Sequence, residues 1–226
     1  MLPIATNLKI GKTPWATYTL AASNAVIHLL LTWNRDFQQS AVTAQALGFI
    51  PSNVKNLNPT AFPTLFTSMF LHADLTHLIA NMLFLLVFGR KVETQLEATN
   101  YIVFYLAGGV TAGMTHALID PGSSVPLIGA SGAISAVLGA FLIYNPRARI
   151  TIIPHPIMIF FLGRLTMRLP AWILLLVWFF IQIAMGTNRR ASNVAFWAHA
   201  GGFLMGGLMA IAVYKCIPKE RVCPKG

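Results

Sequence analysis

Acidic residues are scarce in this chain of 226 residues, where six Asp and Glu stand against 16 Lys and Arg. Charged residues make up only 10% of the sequence and hydrophobic residues 56%, a composition typical of a polytopic membrane protein and not of a soluble domain. The shortage of carboxylates also excludes an aspartyl-protease mechanism, which needs two acids within membrane spans.

Cysteine is nearly absent as well. Cys216 and Cys223 are the two cysteines, and they are too few and too far apart for a zinc site or a disulfide framework. A membrane zinc protease would need the pattern His-Glu-x-x-His, but His72 and His77 are five residues apart with no glutamate between them. We therefore expect neither a metal nor another cofactor.

Long apolar segments are plentiful, and six of them approach the roughly 20 residues that a membrane-spanning helix needs. They cover residues 15–33, 75–88, 101–119, 128–144, 170–185 and 194–214. We predict an all-α, polytopic membrane protein with six transmembrane helices in a single domain over residues 1–226. Residues 34–74 form a long, partly interfacial first loop in this prediction, and residues 215–226 form a cytoplasmic tail. The stretch 150–163, interrupted by Pro154 and Pro156, is predicted to be an interfacial linker.

The formal net charge of +10 is explained by the positive-inside bias of membrane proteins, so no nucleic-acid partner is expected. With both termini cytoplasmic, twelve of the 16 basic residues lie inside and four lie outside, namely Arg35, Lys55, Arg189 and Arg190. This asymmetry predicts that orientation, in a bacterial inner (cytoplasmic) membrane. The second, fourth and sixth helices then all begin at the outer face.

Four polar side chains share the outer leaflet near the starts of these helices: His77, Asn81, Ser131 and His199. Polar groups are expensive inside a bilayer and commonly mark function. A serine hydroxyl becomes nucleophilic when a base removes its proton, and His199 is the candidate base for Ser131. His77 and Asn81 lie four residues apart on one helical face, where they and the Ser131 N–H are candidate oxyanion-hole donors. None of the six acids lies where it would clearly orient His199, so we predict a Ser–His dyad.

Small residues accompany both candidate catalytic groups. Two glycines follow His199 at three and seven residues on its helical face, and small residues also follow Ser131 on its own face. Such spacing lets helix backbones approach closely, so we predict that the fourth and sixth helices pack together and bring the hydroxyl to the imidazole. The predicted packing glycines are Gly129, Gly132, Gly202 and Gly206.

Each of these features also has a purely structural interpretation. Small residues pack helices, and His77, Asn81 and His199 are residue types that join helices by hydrogen bonds. The functional interpretation is favoured because a nucleophile, a base and amide donors occur together in one leaflet of alternate helices. The other histidines are interpreted as structural or interfacial, with His72 organising the first loop; the rest are His28, His116 and His155.

Three stretches resemble the second, fourth and sixth helices of the rhomboid intramembrane serine proteases, in order and spacing: "HADLTHLIANMLFLLVFGRKVE", "GASGAISAVLGAF" and "AFWAHAGGFLMGG". The stretch "RLPAWILLLVWFFIQ" is similar to the fifth helix. One departure is Pro63-Thr64, at the place in the first loop where many members carry Trp-Arg. The resemblance implies a structural role for Glu93 and helix packing by Gly202 and Gly206. It also implies the same catalytic roles: Ser131 as nucleophile, His199 as base, and His77, Asn81 and the Ser131 amide as the oxyanion hole.

The predicted function is therefore an intramembrane serine endopeptidase. It would cleave transmembrane helices of single-span or polytopic membrane proteins near the outer face of the lipid bilayer, through an acyl-enzyme intermediate. A catalytically inactive rhomboid-like adaptor that binds transmembrane helices is the alternative. A small-solute channel is a third possibility, although the sequence has no repeated half or pair of discontinuous helices to favour it.

Overall fold

The computed structural model describes residues 2–33, 37–154, 165–187 and 194–214, and most of them are helical. The helices are α1 (Trp15–Thr32), α2 (Phe37–Leu47), α3 (Pro51–Lys55), α4 (Ala61–Thr67), α5 (Leu75–Phe84), α6 (Arg90–Leu96), α7 (Ala98–Ile119), α8 (Ser131–Tyr144), α9 (Ala171–Thr187) and α10 (Phe196–Tyr214). A π-helical turn, Leu85–Gly89, joins α5 to α6, so that Leu75–Leu96 is one continuous helix.

Each of the six predicted segments contains a helix. Three helices are long and apolar enough to cross a membrane, namely Leu75–Leu96, Ala98–Ile119 and Phe196–Val213. Helices α8 and α9 are apolar but shorter, with 14 and 17 residues. A polytopic helical membrane protein is thus confirmed, whereas the count of six membrane crossings stays a prediction.

Helix α8 forms the centre of the bundle. Most of its residues are buried, including Ala133, Val137 and Phe141, none of which exposes measurable side-chain area. A helix that is apolar on all sides is typical of a core position. Helices α7 and α10 pack against it, and α9 packs against α10. The N-terminus of α8, where Ser131 lies, is therefore surrounded by other helices.

A small sheet corrects the all-α prediction. Strand β1 (Leu2–Thr6) pairs antiparallel with β2 (Arg149–Ile153), which pairs antiparallel with β3 (Met167–Pro170). Leu2 lies opposite Ile153, and Arg149 lies opposite Pro170. The sheet was not predicted because its first two strands are separated by more than half of the chain, and a short strand paired at that distance leaves little local signal. The predicted linker 150–163 thus begins as a strand, and its part from 155 onward lies outside the described residues.

The first loop contains helices α2, α3 and α4 and a 3₁₀ turn, Ser68–Phe70. Pro63 lies in the first turn of α4, where the missing N–H breaks no helical hydrogen bond. Thr64 is buried, and its hydroxyl donates to the Thr60 carbonyl at 2.9 Å. Helices α3 and α4 pack against α7. The loop therefore docks on the bundle with Pro63-Thr64 inside a helix.

Glu93 ties α6 to the start of α1. Its carboxylate accepts hydrogen bonds from the Ala16 N–H at 2.9 Å, the Thr17 N–H at 2.7 Å and the Thr17 hydroxyl at 2.7 Å. The side chain is buried, and it satisfies N–H groups at a helix N-terminus, where the helix dipole also favours a negative charge.

Candidate active site

Ser131 is the first residue of α8, at the point where a loop turns into a buried helix. Two residues earlier, Gly129 has a φ of +121°, which glycine adopts freely and other residues rarely do. The Gly129 N–H donates to the Ser68 carbonyl at 2.9 Å, and a side chain at this position would overlap the His77 ring. Glycine therefore lets the loop pass close to His77 just before Ser131.

The Oγ of Ser131 and the Nε2 of His199 are 2.8 Å apart, within hydrogen-bond reach. Ser131 comes from α8 and His199 from the first turn of α10, and both side chains are half-buried. The structure thus places the predicted nucleophile and the predicted base in direct contact.

Glycines make this contact between α8 and α10 possible. A methyl group added at Gly202 would overlap the Gly132 carbonyl, and one added at Gly206 would overlap the Ala136 backbone. On the opposing helix, a methyl group at Gly139 would overlap the Phe203 carbonyl. Helix backbones approach this closely only where side chains are absent.

A third side chain, absent from the sequence-based site, also contacts the imidazole. The Oε1 of Gln182, in α9, lies 2.9 Å from the Nδ1 of His199, and Gln182 is only 7% exposed. A signal exists in the sequence, since Gln182 is the one strongly polar residue in the apolar run 171–185. The prediction of a dyad considers only carboxylates as orienting groups and so overlooks this amide.

The predicted oxyanion-hole donors lie on α5 and line the same cavity as Ser131. The Asp74 carboxylate caps this helix by accepting a hydrogen bond from the His77 N–H at 2.7 Å. The Nδ2 of Asn81 is buried and has no hydrogen-bond partner among the described residues. A buried unpaired donor costs free energy unless a ligand accepts its hydrogen bond. The Ser131 N–H, in the first turn of α8, also lacks an acceptor within its own helix.

Three more histidines, His28, His72 and His116, line this cavity, whose volume is about 1120 Å³. The ring centroids of His28 and His72 are 6.3 Å apart, and those of His72 and His77 are 5.2 Å apart. Burial, with smaller contributions from His77 and His28, lowers the pKa of His72 to about 4, so that this side chain is neutral at pH 7.

Among the residues that the structure describes, no group of three or more His, Cys, Asp or Glu is arranged to hold a metal ion. His155, Cys216 and Cys223 lie outside the described residues.

Helices long and apolar enough to span a membrane define the class as a helical membrane protein. A serine and a histidine in contact lie beside a cavity in its bundle. A family model for the Rhomboid domain matches residues 59–216, and the chain belongs to the rhomboid family. The predicted family is therefore confirmed.

Several relatives carry the family name. Rhomboid protein 1, mitochondrial, of Saccharomyces cerevisiae is 32% identical over 164 residues, which cover 68% of this chain and 42% of that protein. The Presenilin-associated rhomboid-like protein, mitochondrial, of Rattus norvegicus is 31% identical over 144 residues, 62% of this chain and 35% of that one. Rhomboid protease GluP of Bacillus subtilis is 30% identical over 148 residues, which cover 66% of this chain and 25% of that protein. The chain thus spans less than half the length of these relatives.

The names of these relatives are relevant to two further predictions. One relative is named a protease, so the family includes proteases. Two relatives are mitochondrial and one comes from a bacterium, so the bacterial inner membrane stays a prediction.

Proposed function

We propose that the chain is an intramembrane serine endopeptidase in which Ser131 is the nucleophile and His199 is the general base. The observation that carries this proposal is the 2.8 Å separation between the Ser131 Oγ and the His199 Nε2. A serine hydroxyl needs a base at this distance to lose its proton as it attacks a carbonyl. Family membership and a protease among the relatives support the same chemistry.

In the first half of the reaction, the Ser131 Oγ bonds to the carbonyl carbon of the scissile peptide, and its proton moves to the His199 Nε2. The negative charge that develops on the carbonyl oxygen needs donors already in place. The proposed donors are the His77 ring, the Ser131 N–H and the Asn81 Nδ2, whose residues all line one cavity. The Asn81 Nδ2 has no hydrogen-bond partner among the described residues. The carbon–nitrogen bond then breaks, and His199 returns the proton to the leaving amine.

In the second half, water hydrolyses the acyl-enzyme. His199 takes a proton from the water as its oxygen bonds to the acyl carbon, and the same proton returns to the Ser131 Oγ when the acid product leaves. This step needs water at a site between membrane helices. The cavity beside Ser131, lined in part by Asp74, His77 and Asn81, has room for it.

The proposed substrates are transmembrane helices of single-span or polytopic proteins, cleaved near the outer face. The backbone of a helical substrate is already hydrogen bonded within itself, so we expect cleavage where the helix unwinds easily, near a small residue. The distribution of basic residues supports an orientation with both termini in the cytoplasm and the cavity toward the outside. The proposed location is the bacterial inner membrane.

The test is cleavage of a single-span model substrate by the purified chain in liposomes. Ser131→Ala removes the nucleophile and should abolish cleavage without unfolding the protein. Ser135→Ala is the matched control because its hydroxyl, one turn along the same helix, donates only to the Ser131 carbonyl. We expect Ser135→Ala to cleave within a few-fold of the wild type.

Covalent labelling separates this function from the adaptor. A serine-reactive phosphonate should label the wild type and Ser135→Ala but not Ser131→Ala. If the wild type binds transmembrane helices but is neither labelled nor able to cleave them, the adaptor is the correct function. Cleavage retained by Ser131→Ala would remove the proposed mechanism.

A further inference from the structure

Gln182 makes two hydrogen bonds that together determine which way its amide faces. The Nε2 group donates to the Trp178 carbonyl, one turn earlier on α9, at 3.4 Å, and the Oε1 lies 2.9 Å from the His199 Nδ1. A backbone carbonyl only accepts hydrogen bonds, so the amide NH₂ must face Trp178. The amide oxygen therefore faces His199.

This orientation selects the tautomer of the imidazole. An amide oxygen only accepts, so the Nδ1 of His199 must carry the hydrogen. A neutral imidazole has one N–H, which leaves the Nε2 with a lone pair directed at the Ser131 hydroxyl 2.8 Å away. The base needs this tautomer, because the other one would present an N–H to the serine and accept no proton.

We propose that Gln182 is a positioning residue that holds His199 in the tautomer and ring orientation required for proton transfer, which makes the site a Ser131–His199–Gln182 array and not a dyad. This inference rests on the proposed function. An amide suits an apolar span better than a carboxylate does, since burying a neutral polar group costs less than burying a charge. The amide orients the imidazole but supplies no negative charge to the imidazolium.

A merely structural role would be a tether between α9 and α10. The test therefore compares Gln182→Met, which keeps the volume but removes the acceptor, with Gln182→Glu, which keeps an oxygen acceptor. Gln95→Met is the matched control, because Gln95 is also buried and bonded, in its case to Asn145, outside the cavity that Ser131 lines.

The first readout is cleavage of the model substrate in liposomes. Gln182→Met should lower kcat about tenfold or more and leave KM within about twofold, because the wrong tautomer impairs the chemical step and not substrate binding. Gln182→Glu should recover most of this loss. Gln95→Met should keep the kcat of the wild type even where its unfolding temperature drops.

The second readout needs no cleavage. Nitrogen NMR of ¹⁵N-histidine-labelled protein distinguishes a protonated ring nitrogen from an unprotonated one, and a His199 variant identifies the signals. We expect one tautomer, protonated at Nδ1, in the wild type and in Gln95→Met, and a mixture in Gln182→Met. Protonation at Nε2 in the wild type, or an unchanged spectrum in Gln182→Met, would overturn the proposal.

The two readouts also distinguish a failure of the role proposed for Gln182 from a failure of the proposed protease function. Wild-type kcat in a folded Gln182→Met, or equal losses in the Met and Glu variants, removes the role of Gln182 and leaves the serine protease intact. Failure of the wild type to cleave or to be labelled removes the proposed function itself.

Discussion

Gly206→Ala tests the close packing of α8 and α10 on which the candidate site depends. The added methyl group would overlap the carbonyl oxygen, the Cα and the carbonyl carbon of Ala136. These are backbone atoms, so no flexible side chain can rotate away and the two helices must move apart. Gly207 is the matched control on the same helix, because the nearest atoms to a methyl group there, the Gly139 oxygen and the Ile143 Cγ1, lie 3.9 and 4.0 Å away.

The expected stability difference follows from these contacts. Overpacking costs about 1–3 kcal/mol, and a clash with backbone belongs at the upper end of that range. Alanine gains about 1 kcal/mol over glycine in a helix interior, so Gly206→Ala should lose about 2 kcal/mol while Gly207→Ala gains up to about 1 kcal/mol. The pair should therefore differ by about 3 kcal/mol, or roughly 6–12 °C in unfolding temperature for a domain of this size.

The cleavage rate should fall in Gly206→Ala and not in Gly207→Ala, as the stability does. Separating α10 from α8 by about 1 Å would disrupt the contact between His199 and Ser131, and a misplacement of this size costs about a hundredfold in rate. Thermal unfolding in detergent and cleavage in liposomes, at a temperature where both variants are folded, measure the two effects. Equal stability and equal rates in Gly206→Ala and Gly207→Ala would contradict the close helix contact.

Two further predictions concern the cavity. Asn81→Ala removes a proposed oxyanion donor and should lower kcat about 10²–10³-fold with little loss of stability, because its Nδ2 has no partner to lose among the described residues; a kcat within twofold of the wild type would exclude that role. His72 has its pKa lowered to about 4, so the folded protein binds fewer protons there than the unfolded chain, whose histidines titrate near 6.5. The stability supported by neutral His72 should be complete above about pH 6.5 and decline by a few kcal/mol at most as the pH falls to about 4. His72→Gln should flatten this part of the pH dependence of unfolding, and an unchanged slope would show that the lowered pKa does not affect stability.

The helices were predictable because long apolar runs are local features that report directly on burial in lipid. The residues of the candidate site were also found locally, since Ser131 and His199 are polar groups placed among small residues inside such runs. The direction of the two helices alone predicts that both residues lie near one face of the membrane. Their motifs also sufficed to identify the rhomboid family, which the comparison confirms.

The sheet and the structure of the first loop were less predictable from the sequence. Strand β1 pairs with Arg149–Ile153, and no local pattern in Leu2–Thr6 indicates pairing with a strand so far away in the sequence. The docking of Pro63-Thr64 depends on how α4 packs against α7, which its own sequence does not specify.

The amino-acid sequence by itself determined the class of protein, the helical segments and the candidate nucleophile and base, because hydrophobicity and the spacing of small and polar residues act along a single helix. Only the tertiary structure decided that Gln182 reaches the Nδ1 of His199, at 2.9 Å. That contact depends on how α9 is rotated and how far it lies from α10. The rotation and the distance are set by the packing of all the side chains between the two helices. This packing leaves no periodic pattern in the sequence from which it could be predicted.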